Sequence, residues 1–324
     1  MPSNELLNIV AAYVSIYFGL VILVGGLIGN LLNILVFLSL KTFRENSCAF
    51  YLTTMSLLNI GQLLSGVLPG IVNVWFAINW SDASFIYCKF RAYCFQICSL
   101  TSFTCMCIAT IDQFLVTWAN PRWQRYCNIQ FAYRFFIISF LIWILHGIPT
   151  LVYQTHITSI LTGTKSCVII NSIFEKYYNY GFVLVLTSSL PVFVTALFGS
   201  LAYRNVRLLA YRTVPLVQRA LDKQLTLIVL VQVVFNFCVI VPYIITYMFN
   251  FIVTLNSNTI EYAVFQLARN ISINFFYLYF ASPFYIYICV SSRFRRQLSH
   301  VLCGIYMRQR QQMTTATNQI TPAN

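Results

Sequence analysis

Charge is what this chain has least of: 8% of its 324 residues are charged and Asp and Glu together number 7, where an average soluble domain carries about 25% charged residues. With 59% of residues hydrophobic and no long polar segment, a water-soluble fold has too little polar surface to cover the chain. Most of its length must therefore sit in an apolar solvent. No A-x-A type cleavage site follows the first apolar run, and that run is too long for a signal peptide, so an uncleaved signal anchor is expected. No internal repeat is evident, which counts against transporter folds built from duplicated halves. His146, His156 and His300 are too scattered for a metal site, and neither a Ser-His-Asp set nor a Gly-rich phosphate loop is present. Neither an enzyme nor a cofactor is expected.

What is there is a basic surplus, a net +13, arranged along the chain. Lys41, Arg44, Arg122, Arg125, Arg134, Arg204, Arg207, Arg212, Arg219, Lys223, Arg293, Arg295, Arg296, Arg308 and Arg310 fall in or beside alternate connections and the tail. Lys89, Arg91, Lys165, Lys176 and Arg269 face the other way. This is the positive-inside pattern, so the first connection and the carboxyl terminus are expected in the cytoplasm and the amino terminus outside. The surplus is topological, with attraction to anionic lipid, and no soluble basic domain is available to dock on nucleic acid. Apolar runs recur at about residues 10–39, 48–78, 88–118, 131–153, 178–203, 223–253 and 263–290, each long enough to span about 30 Å of hydrocarbon as a helix. Backbone groups in hydrocarbon must bond within their own segment, which at these lengths means helices. The expected fold is an all-α membrane protein, a seven-transmembrane helix bundle with a short amphipathic helix after the seventh span. Residues 1–9 form a short outer terminus, 10–303 the membrane domain and 304–324 a tail too polar to order itself.

Most of the 11 cysteines lie in apolar runs, where a thiol acts as a small hydrophobe. Cys88, at the outer start of the third run, and Cys167, in the outer connection after the fourth, both face an oxidising compartment. A bond between them would tether that connection over the bundle; the alternative is two free surface thiols. Asp112 follows Cys88 by about 36 Å of helix, near the inner surface.

Taken together, Gly29-Asn30, Asn59, Pro69, Trp80 before Cys88, Asp112, Trp143, Cys167, Pro191, Pro242 and Ser282-Pro283 resemble, in order and spacing, the class A, rhodopsin-like G-protein-coupled receptors over about residues 10–303. The resemblance is to divergent invertebrate peptide or chemosensory receptors. It implies a plasma-membrane receptor that passes binding of an outside ligand to a heterotrimeric G protein, with arrestin as a further partner.

The departures bear on mechanism. The family's Asp-Arg-Tyr triplet reads Asp112-Gln113-Phe114 here, so its arginine is missing; Asp222 is placed to accept a neutral hydrogen bond from Gln113, which would latch the resting state less firmly, or both acids simply reach inner-surface water. The helix 2 aspartate that holds sodium in the family matches Asn59, with Ser102 and Ser282 at the partner positions, so no sodium-dependent change in ligand affinity is expected. Asn30, Asn59, Ser102 and Ser282 are expected to hydrogen-bond between helices. The sixth run keeps Pro242 but lacks the family's switch tryptophan; the seventh reads Ser282-Pro283-Phe284-Tyr285-Ile286-Tyr287, and either Tyr285 or Tyr287 could stand for the usual tyrosine. Gly25-x-x-x-Gly29 suits close helix packing, within the bundle rather than between two copies. Asn79-Trp80-Ser81 is a sequon on the outer side, close to the second run, and Asn270-Ile271-Ser272 one inside the seventh. Cys303 could carry a palmitoyl group, and Thr314, Thr315 and Thr317 could be phosphorylated.

The position matching the family's amine-binding aspartate is Phe95, followed by Gln96, and Phe276 stands where opsins carry the retinal lysine. An aromatic pocket of Trp75, Phe95, Gln96, Tyr180, Tyr243, Tyr247 and Phe276 is expected, for a short peptide or small molecule. Two other readings stand beside a coupled receptor: one that binds ligand or arrestin without productive nucleotide exchange, and a transporter or channel. The second is disfavoured because all seven acids are expected near surfaces rather than along a mid-membrane path.

Overall fold

The computed structural model describes the backbone of residues 2–76, 78–118, 121–158, 164–209, 216–253 and 259–303, and the side chains of these except 2–5, 8, 121, 208–209, 216–223 and 251. Tail residues 304–324, with Thr314, Thr315 and Thr317, lie outside the described residues, as do Thr162, Gly163 and the side chain of Asp222. The long helices are α1 (Pro2–Ser39), α2 (Ser47–Phe76), α3 (Phe85–Thr117), α4 (Ile129–Tyr153), α5 (Ser172–Arg207), α6 (Leu216–Ile252) and α7 (Ile260–Ala281). A shorter α8 (Pro283–Val290) and a helix over 292–303, α9, follow. Caps set several starts: the side chains of Asn46, Ser84, Asn128, Asn171 and Thr259 each accept a backbone N–H from the first turn of the helix they open.

Among the described residues, six helices are long and apolar enough to cross a membrane, and α7 and α8 together pass the same test as a pair bent by 57°. The chain is thus an α-helical, multi-pass membrane protein. The bend falls at Ser282, where Pro283 can give no N–H to the preceding turn and is tolerated only as the first residue of a new helix. The expected seventh run, 263–290, is therefore two rods.

α3 is the central post, packed by α2, α4, α5 and α6, while α1 lies against α2 and α7. Large side chains of α1, α4, α5 and α6 such as Val21, Ile28, Ile138, Leu145, Phe193 and Val234 point outward uncovered. In water this would be an aggregating surface, and in lipid it is the expected one. α4 is the most peripheral helix, burying only Ala132, Gly147 and Thr150. Gly25 and Gly29 face Tyr285 and Phe284 of α8, so the small-residue stripe packs against a helix of the same chain.

The outer connection after α4 carries an antiparallel hairpin, β1 (Gln154–Thr158) with β2 (Lys165–Ile169), in which Cys167 sits opposite His156. At the other end, Ser291 Oγ accepts the Phe294 N–H to start α9, and Arg295 Nη1 donates to the Ile288 and Cys289 carbonyls left open at the end of α8. Phe294 and Leu298 are buried while Arg295 and Arg296 are exposed, the amphipathic pattern read from the sequence.

Candidate ligand recess and inner latches

Two features of α2 and α3 shape the outer end. In α2 the helix widens to a π-type turn over Leu63–Val67, and Pro69, four residues after Ser65, has no N–H to offer the Ser65 carbonyl. That carbonyl accepts Arg91 Nε from α3 at 2.9 Å, and Arg91 Nη1 reaches Ser81 Oγ at 3.0 Å. Cys88, one turn before Arg91, is disulfide-bonded to Cys167, with Cα atoms 5.9 Å apart. The hairpin is held at two further points: Asp82 Oδ1 accepts the Cys167 N–H at 2.8 Å, and His156 Nε2 pairs with the Ser81 carbonyl at 2.6 Å.

Beneath the hairpin is a cavity of about 310 Å3. Its wall combines Phe95, Arg91 and Ala92 of α3, Tyr178 of α5, Tyr277 of α7, Gln154, Cys167 and Ile169 of the hairpin, and Asn79, Ser81 and Asp82 of the preceding turn. Of the aromatic positions expected from the sequence, Phe95 lines it. Tyr243, Tyr247 and Phe276 stack alongside as a ladder, with Tyr243 4.6 Å from Phe276 and 5.6 Å from Tyr247; Tyr247 OH donates to Asn179 Oδ1 at 2.9 Å. Gln96 is fully buried and turned to α4, between His146 and Thr150. Trp75 and Tyr180 are exposed, Trp75 stacking on Phe76. Sequence reasoning missed Arg91, Tyr178 and Tyr277. The signal was there for Arg91, a cation three residues after Cys88 at the head of an apolar run.

The ladder leads inward. Phe276 packs on Phe103, Phe103 stacks on Tyr279 at 4.3 Å, and Tyr279 OH reaches the Ser102 carbonyl at 3.5 Å. There Ser102 Oγ donates to Asn59 Oδ1 at 2.6 Å, Asn59 Nδ2 to Asn30 Oδ1 at 3.3 Å, and Asn30 Nδ2 to the Gly26 and Phe280 carbonyls, both at 2.8 Å. Ser282 is buried, but its hydroxyl has no hydrogen-bond partner among the described residues and stands apart from this chain of bonds.

At the inner end Asp112 is buried, both carboxylate oxygens accepting from Ser47 Oγ at 2.8 and 2.9 Å. Gln113 Oε1 accepts from Thr226 Oγ1 of α6 at 2.7 Å. The expected bond from Gln113 to Asp222 involves a side chain outside the described residues; the contact with Thr226 uses the Gln113 acceptor oxygen. Phe114 packs against Trp118 and Phe198. Pro242 lies within α6, where its carbonyl accepts from Thr246 Oγ1, which also meets Ser272 Oγ of α7 at 2.6 Å. Tyr287 is buried between Phe37 and Phe294, whereas the Tyr285 hydroxyl donates to the Gly25 carbonyl on the outside of the bundle. No protein-family model matches this chain, and no curated protein matches it significantly.

Proposed function

We propose that the chain is a seven-span cell-surface receptor of the class A, rhodopsin-like G-protein-coupled type, its amino terminus outside and its tail in the cytoplasm. The observation that carries this is an outer recess roofed by a hairpin disulfide-bonded to the central helix, with stacked rings and buried amides in the bundle below it and polar bonds at the inner end of that same helix. A ligand can shift such a bundle only by binding one packing better than another. In this mechanism a small molecule or short peptide enters the recess and favours the packing in which α5 and α6 move away from α3. The Gln113–Thr226 bond then opens, and the cleft left at the inner face takes a G protein.

The missing arginine at Gln113 favours a second reading, in which ligand or arrestin binds without productive exchange. Nucleotide exchange by purified G proteins in membranes carrying the chain separates the two. Basal exchange above that of empty membranes, raised further by opening the Gln113–Thr226 bond, is expected; its absence with every G-protein class would leave only the second reading.

A further inference from the structure

We propose that the recess beneath the hairpin binds a small carboxylic acid, with Arg91 holding the acid group; its role as an agonist rests on the receptor reading above, the binding itself does not. A guanidinium carries five N–H donors. Arg91 uses two, on Ser65 and Ser81, and makes no other hydrogen bond or ion pair among the described residues. Those two bonds fix the plane of the group, so the remaining donors face the recess already oriented. Asp82 shares the recess, but its two oxygens already accept the Cys167 N–H and Asn79 Nδ2, and it forms no ion pair with Arg91. Tyr178 and Tyr277 line the same space, the Tyr277 ring edge and hydroxyl resting beside Gly66 of α2, and neither hydroxyl makes a hydrogen bond among the described residues. The site therefore offers a cation and two phenols to an acceptor, while its carboxylate is occupied.

Arg91 is partly buried and forms no ion pair among the described residues, and a planar carboxylate is the acceptor its fork geometry matches, through two parallel charge-assisted bonds. The volume of about 310 Å3 is at the lower limit of ligand pockets, about 300 to 1,000 Å3. This selects an acid with one ring or a short apolar body, seated against Phe95, Ala92 and Ile169. Either a free organic acid or the carboxyl terminus of a short peptide presents that chemistry.

The test uses the purified full chain in detergent and reads the ligand-induced shift of its melting temperature. The probes are benzoate, phenylacetate and 3-phenylpropionate with their primary amides, and the dipeptide Gly-Phe with a free or amidated carboxyl end. Acids are expected to raise the melting temperature and the amides to leave it unchanged; the stronger of free acid and dipeptide identifies the source. Arg91→Gln is expected to raise the Kd of the best acid by about tenfold or more. Should Arg91→Gln fold poorly, Tyr277→Phe keeps the ring and removes one donor, with a severalfold weakening expected. Asp82→Asn, which still accepts the Cys167 N–H, is expected to preserve or tighten binding. Amides equal to acids, silence across all the acids at millimolar concentration, unchanged affinity in both Arg91→Gln and Tyr277→Phe, or binding lost in Asp82→Asn would each overturn the proposal. Acid binding with no effect on nucleotide exchange removes the receptor reading and leaves this one; exchange driven through the recess by a ligand without an acid group does the reverse.

Discussion

Gln113 and Thr226 share one neutral hydrogen bond across the inner ends of α3 and α6. Such a bond contributes about 1 kcal/mol, against up to about 3 for one to a charged group. Thr226→Val keeps the shape and removes the donor; basal nucleotide exchange at equal surface expression should rise about fivefold, and an unchanged rate would show that the bond does not restrain α6. Gln113→Arg should lower basal exchange by replacing a neutral hydrogen bond to α6 with a charge-assisted one. Deeper in, Asn59 accepts from Ser102 and donates to Asn30 with no solvent access. Asn59→Ala strands both partners, and thermal unfolding in detergent should report a loss of about 1 to 3 kcal/mol. An unshifted melting curve would mean that the neighbours re-pair.

Among the elements, α2 and the hairpin decide the shape of the outer end. Pro69 withholds an N–H from the Ser65 carbonyl, and Arg91 of the neighbouring helix takes that place. Pro69→Ala supplies the competing donor, so Arg91 should lose its seat and acid affinity should fall while the fold persists. Unchanged affinity would detach the proline from the recess. Cys167→Ser removes a bond that closes 79 residues of sequence separation, and about 2 to 5 kcal/mol of stability should go with it; equal melting temperatures with and without reductant would contradict this. The apolar runs and the two cysteines could be read from the sequence because each obeys a simple rule of length or compartment. The hairpin could not, since QTHIT and KSCVI are five residues each with weak alternation, too short for periodicity to separate from loop. Arg91 was visible only as an outward cation, because its partners, a carbonyl on α2 and a hydroxyl 10 positions before it, are brought together by packing.

For the whole molecule, the proposal of seven spans with the basic residues inside requires the two ends of the chain to lie on opposite faces. Epitope tags at each terminus, stained in intact and permeabilised cells, should show only the amino-terminal tag without permeabilisation. Both tags in one compartment would break the topology and the receptor reading with it. The choice between Tyr285 and Tyr287 also belongs to this scale, since the sequence leaves it open. The 57° bend at Ser282 rotates Tyr287 into the interior against Phe37 and Phe294 and leaves Tyr285 on the outer surface. No local pattern encodes that rotation; it follows from where α8 meets α1.

The strap formed by the hairpin cannot swing clear, because a covalent link and the Asp82 carboxylate pin it at Cys167. A guest beneath it must come and go by the open side of the recess. Cutting the link frees the strap to lift and adds a second way out, so it should shorten occupancy even for a guest whose equilibrium affinity barely changes.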